Sequence, residues 1–294
     1  MSKQSLAIEK FRELHEQGCF VLPNPWDIGS AVYLAHAGFR ALATTSAGFA
    51  FTKGLADGFV SREMMLDHFR EISAVTDLPV NADFLNGYAD EPEAVAENVK
   101  LCVATGVAGL SIEDSTGDSA KPLYDFDLAV ERIKAARAAI QSVPQTKAVV
   151  PEPGAITTES GALNVILTAR CEAYLVGDSD PLRTSLKRLV AFADAGADCL
   201  YAPGVTKPEE IVEIVRAVSP KPINVLVFAQ NCELTINQLR DIGVRRISVG
   251  STLARAAWGG LIRAAEEIQT SGSFQSFADA ATFELNSLFR DTPR

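Results

Sequence analysis

The chain is poor in the residues that many catalytic and structural devices need. Only three histidines occur in 294 residues. His15, His36 and His68 each lie in a stretch of helical periodicity, where surface or helix-packing roles outweigh catalysis. The five cysteines, Cys19, Cys102, Cys171, Cys199 and Cys232, show no CxxC spacing. That spacing suggests neither a zinc cluster nor a disulfide framework and fits reduced thiols. No apolar run reaches the roughly 18 residues of a membrane span. The opening MSKQSLAIEKFRELHEQG is charged and helical in spacing, unlike a secretory leader, so a cytoplasmic location is expected. Basic residues are outnumbered, and a net charge of −10 opposes nucleic-acid and membrane partners. An anionic ligand would need a local concentration of positive charge.

What the chain does have is 47% apolar residues, arranged in a repeating way. Four times a helical pattern ends in glycine and an apolar residue, then runs into a short β-type stretch. Gly38 precedes ALATTS, Gly106 precedes GLSIED, Gly196 precedes CLYAPG and Gly243 precedes RRISVG. Glycine suits the left-handed position that ends a helix, so each junction marks a helix feeding a strand. Runs at 19–24, 78–83, 164–170 and 222–227 bring the strands to eight, and amphipathic stretches at 61–75, 91–104, 127–140, 183–195 and 208–218 lie between them. Eight short apolar strands alternating with helices predict an α/β fold, a (β/α)₈ barrel of the TIM type. A dinucleotide-binding sheet needs GxGxxG after its first strand, and Pro23-Asn24-Pro25-Trp26 stands there instead. Residues 1–294 are expected to form one barrel domain. Residues 271–294 are expected to form a C-terminal helical extension, with 274–289 reading as one more helix whose Phe274, Phe277, Phe283, Leu285, Leu288 and Phe289 would cap the barrel or dock on another subunit. Residues 141–163, rich in Pro, Gly, Ser and Thr, read as a surface loop on the face opposite the site.

In such barrels the functional groups project from the C-terminal ends of the strands. Those ends carry Asn24 and Asp27; Thr44, Thr45 and Ser46; Asn81 and Asp83; Glu113 and Asp114; Arg170 and Glu172; then Tyr201, Asn224 and Ser248. Asn81 and Asp83 are two apart on one strand and face the same side, where Glu113 can join them. Such an oxygen-only donor set suits Mg²⁺, or Mn²⁺, with water and substrate completing the shell. The plainer alternative is that Asp83 caps a loop and Glu113-Asp114 cap the next helix. Arg170 ends an apolar strand and requires an anion. That anion is either Glu172 or Glu113, or a substrate carboxylate gripped bidentately. Thr45 and Ser46, followed by Ala47-Gly48, offer hydroxyls and backbone N–H groups to the other end of a small anion.

The motifs NPWD at 24–27, TTSAGFA at 44–50, GLADG at 54–58, NADFLNGYA at 81–89, SIED at 111–114, TARCEAY at 168–174 and GVRRISVGSTLARAA at 243–257 together resemble the isocitrate lyase/phosphoenolpyruvate mutase superfamily, over about residues 7–268. The resemblance implies Mg²⁺, an α-keto acid or its enolate as substrate, and a dimer of dimers exchanging the last barrel helix. It implies that Thr45, Ser46 and Ala47 touch the substrate carboxylate, that Asp57 lies beside the reacting group, that Asn81, Asp83 and Glu113 hold the metal, and that Arg170 clamps the substrate. Asn224 is added as a substrate-binding residue. Two positions depart from the pattern. Asn81 stands where the family has Asp, which lowers the expected metal affinity. The loop STGDSAKPLYD, 115–125, lacks the Lys-Lys-Cys-Gly-His of the isocitrate and methylisocitrate lyases, and Lys121 is a loose counterpart of the mutases' gate lysine. The expected activity is therefore a Mg²⁺-dependent C–C lyase acting on an oxaloacetate-like acid. A C–P enzyme (mutase or phosphonopyruvate hydrolase) and a non-catalytic keto-acid binder are the alternatives. The 115–125 segment is expected to gate the mouth.

Overall fold

The computed structural model of the chain describes residues 1–144, 163–282 and 284–291. The eight strands are β1 (Phe20–Leu22), β2 (Leu42–Ala43), β3 (Val80–Asp83), β4 (Gly109–Glu113), β5 (Ile166–Arg170), β6 (Cys199–Tyr201), β7 (Ile223–Leu226) and β8 (Arg246–Ser248). The helices are α1 (Lys3–Glu16), α2 (Ile28–His36), α3 (Ser46–Thr52), α4 (Arg62–Ala74), α5 (Pro92–Val103), α6 (Phe126–Ser142), α7 (Pro181–Asp194), α8 (Pro208–Val218), α9 (Ile236–Asp241), α10 (Thr252–Ser271) and α11 (Glu284–Asp291). All strand pairs are parallel, in the order β1-β8-β7-β6-β5-β4-β3-β2. The seam between β1 and β2 is closed by Ala43 N–H donating to the Pro23 carbonyl at 3.0 Å. Asn24 reinforces it: its amide donates to the Thr44 carbonyl while its Oδ1 accepts from the N–H groups of Val249 and Gly250. The result is the expected (β/α)₈ barrel.

The four junction glycines explain how helix and strand alternate so tightly. Gly38, Gly106, Gly196 and Gly243 have φ of 86°, 94°, 103° and 95°, a conformation that costs a residue with a Cβ. Each reverses the chain at the end of a helix directly into the next strand. The barrel floor is plugged by α1, whose Phe11 is fully buried. A Cβ on Gly109 would lie 2.6 Å from the Phe11 ring and 2.9 Å from Asn81 Oδ1. Only glycine lets β4 start against that plug.

Two expectations and one alternative need correction. The second strand is two residues long rather than a run through Ser46, because Thr45 turns to cap α3, its side chain accepting from Gly48 N–H. The C-terminal tail is not one helix. Gly272, at φ 63°, ends α10, and the Glu267 carboxylate accepts the N–H groups of Gln275 and Ser276, holding a short 3₁₀ turn (Gln275–Asp279) before α11 begins. Asp114 caps no helix; its buried carboxylate accepts from Glu172 N–H at 2.8 Å and Arg188 Nη1 at 3.0 Å. Of the 141–163 loop, residues 145–162 lie outside the described residues, as does Phe283 of the tail. No described helix is long and apolar enough to cross a membrane.

Candidate active site

The C-terminal ends of the strands surround a cavity of about 210 Å³. Thr45, Ser46, Ala47, Asp57, Asn81, Asp83, Glu113, Arg170 and Asn224 all line it, so every residue expected at the site borders one space. The register explains the convergence. Asp83 pairs with Ser111, and Glu113 pairs with Arg170, so inward-facing positions two residues apart stack in layers on neighbouring strands. The upper layer holds the charges.

Arg170 is the hub of that layer. Its Nη1 lies 2.8 Å from Asp83 Oδ1, its Nη2 3.2 Å from Glu113 Oε2 and its Nε 2.9 Å from Glu172 Oε1. Its guanidinium sits 5.2 Å from the Tyr201 ring centroid. Burial works against its charge, but Glu172, Glu113 and Asp83 more than offset this and hold it well above the ordinary arginine value. The sequence left open whether a carboxylate side chain or a substrate would satisfy this arginine; three carboxylates of the chain itself do so. They do not neutralise one another. Around one guanidinium stand Asp83, Glu113, Glu172 and, at the rim, Asp57. Burial pushes the Glu113 carboxyl well above the carboxylate range; Arg170 opposes this, and Glu172, Asp83 and Asp57 add to it. The Asp57 carboxyl is raised by desolvation and then by Asp83, with Ser46 and Gly58 as hydrogen-bond partners pulling the other way.

Three carboxylates held on the Arg170 guanidinium leave an excess of acid there that a further cation could balance. Asp83 and Glu113 are hard oxygen donors held against the same guanidinium, a composition that fits Mg²⁺ or Mn²⁺. Asn81 sits one layer lower. Its Nδ2 donates to the Ala82 carbonyl and its Oδ1, buried without a partner, turns toward Gly109. The structure thus brings Asp83, Glu113 and Arg170 together and leaves Asn81 beneath them. Among the described residues no three of His, Cys, Asp and Glu form a ready metal cage, so water and substrate oxygens would have to complete any shell.

The opposite lip is made by α3. Ser46 N–H donates to Asp83 Oδ2 at 2.9 Å, and Thr44 Oγ1 accepts from Asp83 N–H at 2.9 Å, so Thr44–Ser46 fix Asp83. The 115–125 segment closes on itself through a Ser115–Leu123 bridge, a Thr116 N–H to Pro122 carbonyl bond and a Lys121–Asp125 ion pair. None of its residues borders the cavity. His15 and His68 are buried in helix packing with pKa values lowered to about 3 and about 4, mainly by desolvation, and neither reaches the site. Sequence reasoning missed Arg246, a buried arginine on β8 that borders the cavity floor. Its only signal was a charged residue at the start of a short buried strand.

Fold and site together define a barrel enzyme with an acidic, arginine-centred mouth. The chain belongs to the phosphoenolpyruvate phosphomutase family, whose model matches residues 11–150 and 145–269, and is an enzyme of the isocitrate lyase/phosphoenolpyruvate mutase superfamily. It is 33% identical over 242 residues to an uncharacterized protein of Mycobacterium tuberculosis H37Rv, covering 82% of this chain and 81% of that one. It is 28% identical over 268 residues to the 2-methylisocitrate lyase of Salmonella typhimurium LT2, covering 84% and 80%. A crystal structure from Burkholderia cenocepacia J2315, of a protein whose name gives lyase and mutase as alternatives, superposes with a TM-score of 0.88 at 45% identity, covering 98% and 96%.

Proposed function

We propose that the protein is a Mg²⁺-dependent lyase that cleaves a C–C bond next to the keto group of a small, oxaloacetate-like acid, passing through an enolate. The observation that carries this reading is the cluster of three carboxylates on the Arg170 guanidinium, with Asp57 bordering the same cavity. Mg²⁺ at Asp83 and Glu113, with Asn81 below, would supply a Lewis acid for the keto oxygen. Arg170 would swing part of its hydrogen bonding from Glu113 and Asp83 to the substrate carboxylate, a planar grip that suits a guanidinium. Thr45, Ser46 and Ala47 bound the far end of the acid, and Asn224 bounds its side. Asp57, which borders the same cavity and whose carboxyl is raised by desolvation, would be the group that hands a proton to the departing carbon.

The missing Cys-His loop supports a substrate other than isocitrate or methylisocitrate. The test is incubation of the purified protein and Mg²⁺ with a panel of small di- and tricarboxylic acids. Release of pyruvate or another keto acid, or of oxalate, supports the lyase, and no product from any of them would remove it. Phosphonopyruvate consumed in the phosphorus NMR spectrum would instead indicate C–P chemistry, the reaction class after which the family is named. Tight oxalate binding without turnover would indicate a binder.

We also propose a homotetramer, a dimer of dimers with α10 exchanged. Over its 20 residues, α10 buries only Ala254, and Trp258, Leu261 and Ile262 are 44%, 57% and 49% exposed. An apolar helix face of that length is costly to leave in water. Light scattering should give about four times the 31.5 kDa chain mass, and a monomer at micromolar concentration would contradict the assembly.

A further inference from the structure

The hydrogen bonds along the β6–β8 wall of the cavity run in one direction, and that direction is set by a buried arginine. Arg246 is 2% exposed, and its hydrogen bonds go to neutral acceptors rather than to a carboxylate. Its Nη1 faces His15 Nε2 at 3.4 Å. The His15 Nδ1–H donates to the Phe11 carbonyl at 2.7 Å, which leaves Nε2 as an acceptor. Arg246 Nε donates to Asn224 Oδ1 at 2.9 Å. Arginine has donors only, so this contact fixes which end of the Asn224 amide is oxygen. The amide nitrogen must then point the other way, and it donates to Ser248 Oγ at 2.9 Å. Ser248 Oγ in turn donates to the Tyr201 hydroxyl at 3.5 Å. Tyr201 receives a hydrogen bond from the wall and keeps its own proton for the cavity it borders. Burial pushes its phenol up to about 12, so it remains a neutral donor across the neutral range.

An unpaired buried arginine is expensive, and aligning this chain gives it a use. We propose that Tyr201 donates a hydrogen bond to the bound acid, and that Arg246 is the positioning residue that aims this proton through Asn224 and Ser248. The proposal rests on the reading that the cavity holds a small acid anion. It assigns Tyr201 a specificity role as well: the substrate atom facing β6 is an oxygen, because a methylene there would leave the hydroxyl proton unsatisfied in a buried place.

Titration calorimetry of the full chain with oxalate and Mg²⁺ tests this. Tyr201→Phe should weaken oxalate binding about tenfold. Arg246→Met should weaken it by a similar factor, although the hydrogen bonds of Arg246 go to Asn224 and His15. Arg246→Lys, which can still donate to Asn224 Oδ1, should restore most of the affinity. The double variant should bind no worse than Tyr201→Phe alone, because both changes remove the same hydrogen bond. If Arg246→Met does not fold, Ser248→Ala breaks the chain at its last link and should show the same lack of additivity with Tyr201→Phe. Unchanged affinity in Tyr201→Phe, or fully additive losses in the double variant, would overturn the inference while leaving the keto-acid reading intact. Absence of oxalate binding by the unaltered protein would remove that reading, and this inference with it.

Discussion

Arg170→Met should lose about 3–5 kcal/mol of stability, the usual cost of stripping one partner from buried charges. Its melting temperature should fall on the order of 10 °C. The side chain is 14% exposed and faces carboxylates that are 16%, 13% and 6% exposed, so methionine fills the volume but leaves Asp83, Glu113 and Glu172 without a counter-charge. The loss should depend on pH, and its sign is fixed. Burial already holds the Glu113 and Glu172 carboxyls above their ordinary values, against the pull of Arg170. The folded state therefore keeps protons that the unfolded chain has released, and stability declines as pH rises from the ordinary carboxylate range through the raised folded values. Removing Arg170 lifts those values further. Calorimetric melting in a chelator, from about pH 5 to about pH 8, should show a steeper decline in the variant than in the unaltered protein. Equal slopes and equal melting temperatures would mean that the guanidinium does not compensate these acids.

The same cluster shows what a sequence can and cannot disclose. The barrel was legible because Gly38, Gly106, Gly196 and Gly243 punctuate it at places where only a positive φ lets a helix turn into a strand. Asp83, Glu113 and Arg170 were legible because ionisable residues at the ends of apolar strands have few other reasons to be there. The choice between carboxylate and substrate as partner of Arg170 was not. It depends on the side-to-side register of β3, β4 and β5, which strand pattern alone does not set. Arg246 escaped notice because inward and outward positions of a three-residue strand look alike until its neighbours are known. The helix-cap alternative for Asp114 stayed open for a related reason: its partner, Arg188, arrives from a helix 74 residues away. The tail was read as one helix because apolar spacing does not register the capture of two backbone N–H groups by Glu267.

Asp83→Asn is the substitution that best separates structure from chemistry at this mouth. The aspartate accepts from Arg170 on one oxygen and from Ser46 N–H on the other. Asparagine keeps the shape but offers only one acceptor, so one of these contacts is lost, at a cost of about 1–3 kcal/mol for the unsatisfied group. The fold should survive, since the substitution also removes one of the three acids held on Arg170. The larger effect falls on the cation. With Asn81 already neutral, the variant would leave Glu113 as the sole charged oxygen donor expected at the metal, and two amides with one carboxylate make a poor Mg²⁺ site. The expected outcome is a Mg²⁺-dependent rate lowered at least about 10²–10³-fold, the range seen when one preorganised charge contact at a developing oxyanion is lost. The Mg²⁺ concentration needed for half-saturation should rise as well, with a melting temperature lowered by only several degrees. Steady-state rates across a Mg²⁺ titration measure both. A rate that saturates at the same Mg²⁺ concentration and the same height in Asp83→Asn would show that the acids around Arg170 serve the fold alone.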